Sequence, residues 1–165
     1  NTTTTNAGNT ASAAGIALTD GDTGVAMFSL SGLYPGQSYS KCIDVTYTGN
    51  ALSTPIKLYR SSAVTGTGLE QYLDLVVDWG TGTAGTTGGA TSNCTGFNYS
   101  GNIYTGNTLQ TFMTTYQAWG SGLSTIWQPT SSPQTRYFRV TLTMQDNNAA
   151  QGKDVTFGFT WEAQL

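Results

Sequence analysis

The chain has 165 residues, of which only 9 % are charged and none is histidine; six Lys plus Arg stand against nine Asp plus Glu, a net charge of −3. The missing imidazole excludes His-dependent acyl-transfer triads and most zinc hydrolases, and six scattered cations exclude a non-specific nucleic-acid surface. Small neutral residues take the place of charge: 30 Thr, 14 Ser, 10 Asn and 21 Gly. Together with 38 % hydrophobic residues, rich in strand formers, they predict an all-β exterior protein of one main domain rather than a disordered chain.

Residues 1–14 contain no large side chain and no charged one, so they cannot bury themselves. Being Thr-rich and free of Pro, they form either a tail or a strand awaiting a partner edge, and are set apart from a domain over 15–165. Residues 16–19, 20–24 and 25–30 read as strand, turn and returning strand, a hairpin. Leu33-Tyr-Pro-Gly36 places Pro and Gly at the centre of a type II turn. Over 38–48, Tyr39, Lys41, Ile43, Val45 and Tyr47 alternate with Ser40, Cys42, Asp44 and Thr46, which is the strand period. Ile56 and Leu58 mark a strand over 55–60, with Pro55 at its start where a missing donor costs least. A helical turn over 68–73 precedes a strand over 73–79, and residues 80–96 form a long loop of small residues. Leu109, Phe112, Met113 and Tyr116 predict a helix over 107–119, capped by Asn107 or Thr108 and stopped by Gly120. After an irregular stretch over 120–134 come two long strands, 135–144 and 153–165, the second with Val155, Phe157, Phe159, Trp161, Ala163 and Leu165 inward. Seven or eight short strands with one short helix in a connection argue for a β-sandwich of jelly-roll or immunoglobulin-like type.

Chemistry is sparse. Ser121 sits in Gly-Ser-Gly, far from any base. Asp74 and Asp78 share a strand face and read as solvated rather than as a glycosidase pair. Asp20 and Asp22 form a weak calcium candidate that turn chemistry explains equally well, so no metal and no cofactor is expected. Trp79 and Trp161 fall in phase with the core; Trp119 and Trp127 flank irregular chain and are a candidate ligand platform for glycans. Sequons stand at Asn1, Asn93 and Asn98. Two cysteines, Cys42 and Cys94, suit a disulfide in an oxidising compartment, closing a loop of about 53 residues worth about 4 kcal/mol on the chain-entropy model; two buried thiols are the alternative. No apolar run of about 18 residues predicts a membrane span. The absence of an initiating Met reads as a processed, exported product.

Gly15-Ile-Ala-Leu-Thr19, followed after a turn by Met27-Phe-Ser-Leu-Ser-Gly-Leu-Tyr-Pro-Gly-Gln-Ser-Tyr-Ser-Lys41 and a strand ending Tyr47-Thr-Gly-Asn50, resembles the opening of the TasA/camelysin family. Val140-Thr-Leu-Thr-Met-Gln-Asp-Asn-Asn-Ala-Ala-Gln-Gly152 and Phe159-Thr-Trp-Glu-Ala-Gln164 are similar to the ending of its actinobacterial-type relatives. The resemblance implies a jelly-roll subunit, secreted and trimmed, that polymerises with identical subunits into biofilm matrix fibres by donor-strand complementation, as archaeal bundling pili do. Carried onto this chain, the donor strand is the segment containing Thr2, Thr3, Thr4, Thr5, Asn6, Ala7, Thr10, Ala11 and Ala13, whose small side chains suit a shallow groove. The metalloprotease activity described for camelysin-like members does not carry over, because this chain has no histidine and no zinc motif.

The expected function is therefore a structural filament subunit, extracellular or at the cell surface, and not an enzyme. The alternative is a secreted carbohydrate-binding or adhesin module using Trp119, Trp127 and the 80–96 loop.

Overall fold

The computed structural model describes residues 2–5, 12–13, 16–20, 28, 33–82 and 93–165. Its strands are β1 (Thr2–Thr5), β2 (Ser12–Ala13), β3 (Ile16–Asp20), β4 (Ser38–Tyr47), β5 (Ile56–Arg60), β6 (Thr65–Gly66), β7 (Leu73–Thr81), β8 (Asn98–Thr108), β9 (Leu123–Trp127), β10 (Gln134–Met144), β11 (Val155–Thr156) and β12 (Phe159–Ala163), with one α-helix, α1 (Leu109–Thr115). All pairings are antiparallel. A six-stranded sheet has the order β2-β3-β4-β10-β7-β8 and a four-stranded sheet the order β1-β12-β5-β9, with β11 and β6 forming a small ribbon. The fold is thus the all-β sandwich with one short helix that the turn spacing predicts.

Period-two alternation builds the core. Ile43, Val45 and Tyr47 from β4, Leu73, Leu75 and Val77 from β7, and Phe138, Val140 and Leu142 from β10 are buried on the inner face of the large sheet. Ile56 and Leu58 of β5 and Phe159, Trp161 and Ala163 of β12 meet them from the small sheet. The ring centroids of Phe138 and Trp161 lie 5.5 Å apart across this interface. The outer face of the large sheet is a ladder of paired hydroxyls: Ser38 with Thr143 at 2.6 Å, Ser40 with Thr141 at 2.8 Å and Thr46 with Thr135 at 2.8 Å. Cross-strand hydroxyl pairs of this kind replace the charge the composition lacks.

The Tyr34–Gln37 turn forms as expected, with Gln37 N–H donating to Tyr34 O at 3.1 Å and Gly36 at φ 77°. Gly satisfies the positive φ that the third position of a type II turn demands.

Four expectations change. The helix is only Leu109–Thr115, capped by Thr108, whose hydroxyl accepts from Thr111 N–H at 3.2 Å; its first predicted residues belong to β8. β9 lies in the stretch that reads as irregular, and β8 runs through residues 98–106, to which the sequence assigns no element, because Gly, Asn and Thr give it no apolar alternation and its pairing with β7 supplies what propensity does not. Gly101 of β8 is required by packing: a Cβ there would stand 2.7 Å from Trp79 Nε1. The long C-terminal strand is broken into β11 and β12 at Phe157 and Gly158, where Gly158 O accepts from Ser61 N–H at 3.0 Å instead of continuing one ladder. Leu165, expected inward, lies past the end of β12 and is 77 % exposed.

The predicted returning strand over 25–30 falls, apart from Phe28, outside the described residues, as do residues 83–92 of the long loop.

Candidate functional site

Two pieces of the segment expected to act as donor strand, Thr2–Thr5 and Ser12–Ala13, are strands β1 and β2 at the edges of the two sheets of their own chain. β1 runs antiparallel to β12 in unbroken register, Thr2 opposite Ala163, Thr3 opposite Glu162, Thr4 opposite Trp161 and Thr5 opposite Thr160. Asn6, Ala7, Thr10 and Ala11 lie outside the described residues.

β12, the partner of β1, is unusual in being buried on both faces. Phe159, Trp161 and Ala163 point into the sandwich, while Thr160 and Glu162 are buried on the other side. Glu162 is 3 % exposed and accepts from the Tyr59 hydroxyl and, at 2.7 Å, from Gln164 Nε2. Burying a carboxylate is costly unless donors surround it, and these two donors come from β5 and from the residue just past β12. Burial, with the neighbouring Glu162 second, pushes the Tyr59 phenol well above its ordinary value. The Trp161 indole Nε1 is buried with no hydrogen-bond partner among the described residues. β12 therefore carries both large apolar area and buried polar groups, and β1 completes its backbone pairing.

Cys42 of β4 and Cys94 form the disulfide, with Cα atoms 5.2 Å apart. Cys94 opens a turn in which Phe97 N–H donates to Cys94 O at 3.0 Å, so the bond pins the approach to β8 onto the outer face of the large sheet. Such a bond suits an oxidising compartment.

The aromatic platform is not assembled. Trp127 is 1 % exposed: residues 125 and 126 bulge out of the β5–β9 ladder, and Trp127 turns inward, its Nε1 donating to Gln134 Oε1 at 3.0 Å. Trp119 is half-buried, with Lys57 Nζ 4.8 Å from its ring centroid. Trp79, expected inside, is also half-buried and stacks under the Arg136 guanidinium at 4.0 Å. Desolvation there lowers the Arg136 pKa.

Asp78, expected in water, is buried, paired with Arg139 at 2.9 Å and accepting from Asn102 Nδ2 at 2.9 Å. Asp74 is exposed and accepts from Gln145 at 2.7 Å. The two carboxylates are thus divided between a buried ion pair and the surface. Asp20 ends β3 and Asp22 lies outside the described residues. Among the described residues no three His, Cys, Asp or Glu side chains are grouped so that they could hold a metal, and no helix is long and apolar enough to cross a membrane.

Sequence reasoning misses three features. β12 reads as an ordinary core strand, and nothing in Phe159–Ala163 signals that Thr160 and Glu162 are covered. Ile126, 65 % exposed at φ 59°, has no sequence signal either. A cavity of about 390 Å³ lies between Leu33, Leu69, Leu73, Met144, Val155 and Phe157, residues spread over four segments. Compared with protein-family models and with curated proteins, the chain gives no match.

Proposed function

We propose that the protein is a structural subunit of an extracellular filament, a biofilm matrix fibre or pilus-like polymer, whose copies join by donating the N-terminal strand. The observation that supports this reading is the β1–β12 pair: a run of four threonines, uncharged and free of Pro, pairs in regular register along the edge of a sheet. The same strand from a second copy would make the same main-chain pairs, so exchange between copies costs no contact. A copy whose β1 has left offers an open β12 edge, and a copy whose β1 is donated fills the next. The relation is head-to-tail and does not close, so it extends into a fibre. The disulfide and the scarcity of charge fit a secreted subunit that stacks against identical neighbours with little repulsion.

The test is removal of residues 1–14. The truncated chain is expected to stay monomeric where the whole chain forms filaments in negative stain. A synthetic peptide of residues 1–14, added in excess to the whole chain, is expected to cap the acceptor edge and shorten filaments. Filaments of normal length in both experiments would show that β1 is not donated.

A further inference from the structure

The two poles of the sandwich differ in a way that strand exchange does not use. At one pole, the end of β4, the start of β5 and the end of β9 carry Leu52, 51 % exposed, and Ile126, 65 % exposed. The two belong to neighbouring segments, for Ser53 N–H donates to Pro129 O at 2.8 Å and Ile56 pairs with Trp127. Ile126 sits at φ 59° and Ser53 at φ 65°. A positive φ is a genuine outlier for a β-branched residue. It is held by two hydrogen bonds: Arg136 Nη1 donates to Ile126 O and Ile126 N–H donates to Ser124 Oγ, each at 3.2 Å. Strain maintained in this way holds an isoleucine out in water, and strained backbone clusters at recognition sites. Residues 48–55 and 124–133 contain no charged residue, so covering this pole desolvates no ion.

The opposite pole holds the cavity of about 390 Å³ walled by Leu33, Leu69, Leu73, Met144, Val155 and Phe157. β10 connects the two ends: Gln134 receives the Trp127 indole at one, and Met144 lines the cavity at the other, about 35 Å apart for an eleven-residue strand. The two charged residues of the cavity rim, Lys153 and Asp154, are each hydrogen-bonded to neutral atoms of Thr67. Asp154 Oδ1 accepts from Thr67 N–H and Oγ1, both at 2.8 Å, and Lys153 Nζ donates to Thr67 O at 3.1 Å.

We infer that the exposed Leu52 and Ile126 of one copy seat in the Leu33–Leu73–Phe157 cavity of the next, a second interface between copies that sets their head-to-tail stacking. It rests on the filament reading above, and it is the arrangement that apolar knobs and an apolar cavity at opposite ends of one molecule produce: heterologous, unclosed and co-linear with the strands. The knob is neutral and brings no ion into the cavity, and the rim's Lys153 and Asp154 keep their hydrogen bonds to Thr67.

Ile126→Asn tests the knob, because Asn tolerates positive φ while losing the apolar side chain. The variant is expected to melt no lower than the wild type, and the concentration needed for assembly is expected to rise roughly tenfold or more. Gly152→Asn tests the cavity: Gly152 lines it at φ 72° and has nothing within 4 Å of a Cβ position, so the added amide obstructs the mouth and is expected to raise the assembly concentration likewise. An equimolar mixture of the two variants, with one intact cavity and one intact knob, is expected to give dimers by analytical ultracentrifugation where each alone is monomeric. If the wild type polymerises and Ile126→Asn does so at the same concentration, the knob is overturned and the filament reading stands. A wild type that never self-associates overturns both. A small apolar molecule found by native mass spectrometry in the cavity of assembled protein overturns the second copy as its occupant.

Discussion

Among the uncharged edge strands of the sandwich, two behave oppositely, β1 on the small sheet and β8 on the large one. β8 is eleven residues long, yet its pairing with β7 slips in register between Leu75 and Val77, between Val77 and Asp78 and again between Trp79 and Gly80. Gly106, at φ 82°, bends it further. Bulges and bends twist an edge away from a flat template, so a second chain cannot continue the ladder. β1 is four residues long and has none of these devices. Length alone would select β8 as the sticky edge; regularity selects β1, because strand addition needs consecutive main-chain groups in register.

Four outcomes would break or sharpen that contrast, beginning with the largest. Trp161→Ala removes the largest buried side chain of β12 and is expected to cost about 3–5 kcal/mol in a denaturant melt, enough to lose the β12 edge together with the fold. Replacing Cys42 and Cys94 by Ser is expected to cost about 2–4 kcal/mol while leaving filaments intact in negative stain, because the disulfide secures the β8 corner and not β1. Loss of filaments in the doubly substituted but folded protein would mean that the β8 corner takes part in assembly.

Proline separates the edges most directly. Thr4→Pro removes a donor from the regular ladder and is expected to weaken assembly roughly tenfold by sedimentation. Thr105→Pro falls within a register slip of β8 and is expected to leave assembly unchanged. Equal effects would end the distinction.

The smallest effect is alkaline. Burial raises the Tyr104 phenol of β8 to about 12, with the neighbouring Tyr116 adding to the shift. A phenol raised above its ordinary value, near 10, contributes stability that is complete below about pH 10 and is lost as pH rises through about 12. Tyr104→Phe is expected to remove part of that alkaline slope in a melting-temperature profile, and Tyr59, raised chiefly by burial beside Glu162 of β12, contributes to the slope that remains. A profile unchanged by the substitution would show that the β8 phenol stays in contact with water.

Elements with a clear period were legible in order and face. The inward sets of β4, β5, β7 and β10 follow from alternation, the Pro35–Gly36 turn from its two residues, and the disulfide from there being only two cysteines. The candidate site was legible as a strand without means to bury itself, because fourteen small uncharged residues can pair but cannot pack. Where it pairs was not legible: four identical threonines carry no register, and only the placement of β12 supplies one. Trp127 was misread for a related reason. Flanking prolines and an irregular stretch suggest exposure, but the bulge at Thr125 and Ile126 that turns the indole inward depends on β5 and Gln134, both distant in sequence.

Composition and period by themselves determined the all-β class, the scarcity of conventional catalytic groups and the faces of the long strands, since these depend on residue type and on neighbours one or two positions away. Tertiary structure decided which edges are regular and which are bulged, that Asp78 and Glu162 are buried and Leu165 is not, and that apolar knobs and an apolar cavity stand at opposite poles. Each of those is a relation between segments far apart in the chain, and the alternation within any one segment is the same whichever way the relation turns out.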